Sequence, residues 1–171
     1  RSKLMGEQAI QASGAKALVL RTSWVYAAKG NNFAKTILRL AAERDSLNVV
    51  ADQYGAPTGA ELIADVTAHI LRRVLGDQDS AALAGIYHLA AAGETSWHGF
   101  ARLVLEHAER NGVALKVSAD KVGQLPPKRI HCRHRVRTIP GWLWVNLKPL
   151  FQLKMPPWQQ GAQRMLDEIQ R

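Results

Sequence analysis

A-L-V-L-R-T-S-W-V-Y, residues Ala17 to Tyr26, decides the fold. Its apolar and β-forming residues run almost unbroken, as in a parallel strand covered on both faces. Ahead of it, Leu4, Ala9 and Ile10 fall near helical spacing, and Ser13-Gly14 reads as a helix stop. Behind it, Lys29 to Asn32 is a turn with an N-cap candidate. A helix is predicted from there to about Arg44, with Phe33, Ile37, Leu40 and Ala41 on one face. Leu47 to Ala51 reads as a short strand, whereas the Gly and Pro of Asp52 to Gly59 predict irregular chain. Leu62, Val66, Ile70 and Val74 mark another helix, ended by Gly76. Gly85 to Ala90 is a strand, and Gly93 to Ser96 caps a helix carrying Phe100, Val104 and Ala108. Leu115 to Ser118 is the last strand predicted. Pro156 to Trp158 opens a final helix whose buried stripe is Trp158, Ala162, Met165 and Ile169. Strands alternating with helices imply an α/β fold.

Composition narrows the class. At 171 residues, 47% hydrophobic and 22% charged, the chain suits one globular domain. It has no apolar run of the ~18 residues needed to cross a bilayer. The single cysteine, Cys132, excludes an internal disulfide and fits a reducing compartment. A net charge of +9 raises the question of a nucleic-acid partner. The charge is local, however. Pro126 to Leu147 holds five Lys/Arg and no acid, and taking those five from +9 leaves +4 on the rest.

Several residues invite a functional reading beside a plainer one. Lys3 alone is a solvated surface lysine, and Trp24 a core aromatic at a strand end. Asn32 is an N-cap by default, and Gln53, Pro57 and Thr58 are turn residues. Trp97 and His98 start a helix and read as structural. H-C-R-H (His131 to His134) packs its candidate ligands too closely for the spaced pairs of a zinc site, so no metal site is expected.

The order of these pieces changes the balance. R-S-K-L-M-G-E, R-T-S-W-V-Y, N-F, A-D-Q-Y-G-A-P-T-G, Y-H-L and G-E-T-S-W follow one another from Arg1 to about Ala108. L-K-P-L-F-Q-L (Leu147 to Leu153) and P-P-W (Pro156 to Trp158) complete the series. The series resembles the extended short-chain dehydrogenase/reductase superfamily and, within it, the dTDP-4-dehydrorhamnose reductases. The resemblance implies the carboxyl-terminal portion of a Rossmann-type reductase, with its substrate-binding lobe. Residues 1–125 would carry the end of the catalytic helix, the remaining strands and the lobe. Residues 126–146 would be an aberrant basic stretch, and 147–171 the lobe's last helix.

Family members carry Tyr-x-x-x-Lys on the first helix, and Lys3 matches its lysine. That places Lys3 as a catalytic and cofactor-binding residue: its ammonium lowers the tyrosine pKa and binds the nicotinamide ribose. The tyrosine would precede Arg1, as would the Gly-rich dinucleotide half, so residues 1–171 are expected to be inactive alone. By the same resemblance Trp24 packs on the deoxysugar and Asn32 lies near the phosphates. Gln53, Pro57 and Thr58 line the substrate pocket. The implied activity is reduction of dTDP-4-dehydro-6-deoxy-L-mannose with NADPH or NADH, in the cytoplasm. A dTDP-sugar is the implied partner, with no nucleic acid and no membrane, and a homodimer of the full-length form is left open. The rival readings are a non-catalytic basic binding module and a related reductase of another nucleotide sugar.

The family pattern lapses between about Pro127 and Asn146, where this chain has I-H-C-R-H-R-V-R-T-I-P-G-W-L-W-V-N. Arg and Trp together suit phosphates and bases. A shifted reading frame explains the stretch better. Read one nucleotide earlier, codons for Ile130 to Asn146 permit Y-P-L-P-A-S-R-P-D-N-S-R-L-A-L-G-K, close to the family's Y-P-T-P-A-x-R-P-x-N-S-x-L. The family frame resumes at Leu147. The stretch is therefore expected to pack poorly, with Trp142 and Trp144 unburied, and resequencing the gene tests the idea.

Overall fold

The computed structural model describes residues 2–76, 80–125, 147 and 151–170. Helix α1 (Ser2–Ala12) leads into strand β1 (Leu18–Arg21). β1 pairs in parallel with β6 (Gly85–His88), Leu18 opposite Gly85 and Arg21 opposite His88. β2 (Val25–Tyr26) runs parallel to β5 (Thr58–Gly59), and β3 (Asn48–Val50) runs parallel to β8 (Gly123–Leu125). β4 (Tyr54–Gly55) lies antiparallel to β7 (Thr95–Ser96). Among the described residues each strand has one partner. Helices α2 (Phe33–Glu43), α3 (Ala60–Gly76), α4 (Trp97–Arg110) and α5 (Trp158–Ile169) complete the α/β architecture.

Helix α4 is the centre of the core. Phe100, Val104, Leu105 and Ala108 recur at helical spacing and are all buried. They meet Ala34, Ile37 and Ala41 of α2 and Trp158, Ala162, Met165 and Leu166 of α5. Phe100 touches three other rings: Phe33 at 5.5 Å between centroids, Trp158 at 5.8 Å and Tyr26 at 5.9 Å. A second cluster joins Val66 and Ile70 of α3 to Tyr87 and Leu89, with Leu147 and Met155. Helix α1 contributes to neither, since none of its residues is buried.

Three sequence expectations need correction. The strand predicted over Ala17 to Tyr26 is broken: β1 ends at Arg21, and Trp24, in the left-handed backbone region at φ 47°, stands immediately before β2. Leu115 to Ser118 is not a strand. The amides of Lys116 and Val117 instead donate to the carbonyl of Ala41, at 2.9 and 3.1 Å, and so satisfy the end of α2. The last strand forms further on, at Gly123–Leu125. Asp52 to Gly59 is not wholly irregular, since it holds the two short strands β4 and β5. The basic stretch, with H-C-R-H, Trp142 and Trp144, lies outside the described residues.

Candidate functional site

Trp24 is the best-defined candidate. Its indole stacks on that of Trp97, with centroids 3.6 Å apart and planes 12° from parallel. Phe33 packs on Trp97 in turn, at 4.5 Å and 52°. A Cβ built on Gly55 would fall 2.6 Å from Trp24 Cε2 and 2.9 Å from two of its ring neighbours, Cζ2 and Nε1. A point equally far from both neighbours and nearer the atom between them lies over the ring face. Trp97 already occupies one face, so Gly55 covers the other, and the residue is left half-buried. From sequence alone Trp97 reads as structural, and nothing in the residue pattern singles out Gly55.

Local chemistry sets this sandwich. The β4–β7 register puts Gly55 opposite Thr95. Ser96 then caps α4 by accepting the Gly99 amide at 3.0 Å, which makes Trp97 the first helical residue. On the other side, the Trp24 carbonyl accepts the Thr58 amide at 3.2 Å. The Ala56 carbonyl accepts two hydroxyls, Ser23 Oγ at 3.1 Å and Thr58 Oγ1 at 2.9 Å.

The other predicted residues are placed as follows. Asn32 caps α2: its Oδ1 accepts the Lys35 amide at 3.1 Å and its Nδ2 donates to the Ala27 carbonyl at 2.6 Å. Both ends of its amide are thus engaged by backbone. Pro57 and Thr58 are fully buried, and the Thr58 hydroxyl also accepts the Ala91 amide at 3.3 Å. Gln53 is exposed on the loop before β4. Trp24, Pro57 and Thr58 are therefore brought together around the loop, with Pro57 and Thr58 beneath it. A cavity of about 240 Å³ opens beyond the carboxyl ends of β2 and β5, against α5. Tyr26 lines it; burial and the nearby Glu61 carboxylate push the pKa of its hydroxyl up to about 12. Arg164 pairs with Glu61 there at 3.2 Å.

Lys3 is exposed on α1, one turn before Glu7. Glu7 takes Arg21 in a two-point ion pair, Nε to Oε1 at 3.0 Å and Nη2 to Oε2 at 2.5 Å. Arg21 ends β1, so this pair clamps the helix to the sheet. The Arg21 hydrogen bond holds the Glu7 carboxyl below its ordinary value. A depressed carboxyl contributes stability above its unfolded pKa and loses it as pH falls through the folded value. Glu7→Gln should therefore raise amide exchange severalfold in residues 2–12 and leave the β1–β6 amides unchanged. The wild-type chain should approach the same behaviour in acid. Equal exchange in both proteins at neutral pH would sink the clamp.

Parallel strand pairs flanked by helices, with Trp24 on the loop that follows β1 and Gln53 on the loop that follows β3, define a module of the Rossmann-type reductase class. The family pattern described as RmlD substrate binding domain matches residues 1–171, and the chain belongs to that family. It is 48% identical to the dTDP-4-dehydrorhamnose reductase of Escherichia coli K12, over 98% of this chain and 54% of that protein. Identity to the Salmonella typhimurium reductase is 45%, over 99% and 55%. The Bacillus anthracis dTDP-4-dehydrorhamnose reductase, solved in complex with NADP, is 32% identical, with a TM-score of 0.67 over 98% of this chain and 52% of that one. The chain spans about half the length of the curated relatives it matches.

Proposed function

We propose that this chain serves the reduction of dTDP-4-dehydro-6-deoxy-L-mannose to dTDP-L-rhamnose, with NADPH or NADH as donor. The observation that carries the reading is 48% identity to a dTDP-4-dehydrorhamnose reductase across 98% of the chain. The nicotinamide, when bound, supplies the hydride. Among these residues Lys3 fits that cofactor: its ammonium is exposed on a clamped helix and suits a ribose hydroxyl. No G-x-G-x-x-G follows a strand in the 171 residues, so they offer no pyrophosphate turn of that kind. Lys3 would also favour proton delivery to the alkoxide by its positive charge.

Trp24 would meet the deoxysugar with its edge, because both ring faces are covered. Gln53, exposed nearby, has the amide needed for sugar hydroxyls. Asn32 would serve the phosphates through the turn it holds, and Pro57 and Thr58 through the loop they support. A cytoplasmic setting and a homodimer of the full-length form belong to the same reading. No described helix is long and apolar enough to cross a membrane.

Calorimetric titration with dTDP-L-rhamnose tests the proposal. The 171-residue chain should bind it in preference to UDP-glucose and to a DNA oligomer. Trp24→Ala should weaken binding about tenfold, the scale of one aromatic contact. Failure of the wild type to bind, or tighter binding of the oligomer with steep salt dependence, overturns the reading. Preference for UDP-glucose would move the substrate to another nucleotide sugar.

A further inference from the structure

We propose that Trp97 is a positioning residue: it fixes the Trp24 indole so that the edge, not the face, of Trp24 meets the sugar. The proposal rests on the dTDP-sugar reading for its ligand and on geometry for its mechanism. A tryptophan at φ 47° occupies a backbone region that bulky side chains rarely adopt, so something must hold it. The stack at 3.6 Å and 12° supplies that hold across the full ring area. Gly55 closes the opposite side, where even a methyl group would collide. Trp97 is itself held in place. Phe33 backs it at 4.5 Å, the Ser96 cap fixes its place at the start of α4, and Gly55 pairs across β4–β7 with Thr95, two residues before it. A side chain kept only to fill the core would be wrapped by apolar neighbours. Trp97 is half-buried, with its indole laid flat on a candidate ligand residue.

The test labels the 171-residue chain with 5-fluorotryptophan and follows the Trp24 fluorine resonance in the wild type, Trp97→Ala and Trp97→Phe. The resonance should shift and broaden in Trp97→Ala and return towards the wild-type position in Trp97→Phe. Dissociation constants for dTDP-L-rhamnose should rise about tenfold in Trp97→Ala, recover in Trp97→Phe, and rise no further when Trp24→Ala is added. An unchanged Trp24 resonance in Trp97→Ala overturns the proposal whether or not ligand binds. So does a double variant whose losses simply add. If the wild-type chain binds no dTDP-L-rhamnose, the substrate reading fails, and the fluorine resonances alone judge the positioning role. Trp97→Phe keeps a ring in place and guards against a variant that fails to fold.

Discussion

Phe100→Ala should cost about 3–5 kcal/mol, the range for emptying a well-packed aromatic position. Phe100 is 1% exposed and sits where α2, α4 and α5 meet β2. Three aromatic partners surround it, on three different elements. None can follow the lost ring inwards: Tyr26 is held in a strand, Trp158 opens α5, and Phe33 is braced by Trp97. The cavity should therefore persist, and the loss is a large share of the ~5–15 kcal/mol that holds a domain together. Denaturant titration reads it directly; a loss below ~1 kcal/mol would mean the neighbours collapse into the space.

Gly55→Ala should be the most damaging single methyl group at the site. The added carbon would stand 2.6 Å from Trp24 Cε2, and the indole cannot retreat because Trp97 lies 3.6 Å behind it. Overpacking of this kind costs roughly 1–3 kcal/mol. It should also displace the Trp24 edge and so remove measurable binding of dTDP-L-rhamnose. A Gly55→Ala protein with wild-type stability and affinity would show that the loop relaxes freely. That outcome is hard to reconcile with an Ala56 carbonyl pinned by two hydroxyls.

How far the sequence can be read depends on the range of the cause. The core faces of α2 to α5 were legible because Ile37, Val66, Phe100 and Trp158 begin or continue stripes at the helical period. The Asn32 cap was legible for the same local reason. Trp24 was legible as a candidate, but its left-handed backbone was not, since no side-chain pattern announces φ 47° at a tryptophan. Leu115 to Ser118 has the apolar alternation of a strand, yet its amides are claimed by Ala41, 74 residues before Leu115. Trp97 was undervalued for a related reason. Its partner lies 73 residues earlier, and only the pairing of β4 with β7 brings the two rings face to face.

Helix α1 buries none of its residues, and its described side-chain hold on the sheet is Glu7 on Arg21. It is therefore a lever with one fulcrum. Lys3 lies four residues from that fulcrum, about 6 Å of axis at ~1.5 Å per residue, so a tilt of roughly 10° carries residue 3 by about 1 Å. A displacement of that size can cost on the order of a hundredfold in rate where groups must be aligned for reaction. In the role proposed for it, Lys3 would have its alignment exposed to thermal wobble of a whole helix, and any surface that presses α1 from outside would quieten it.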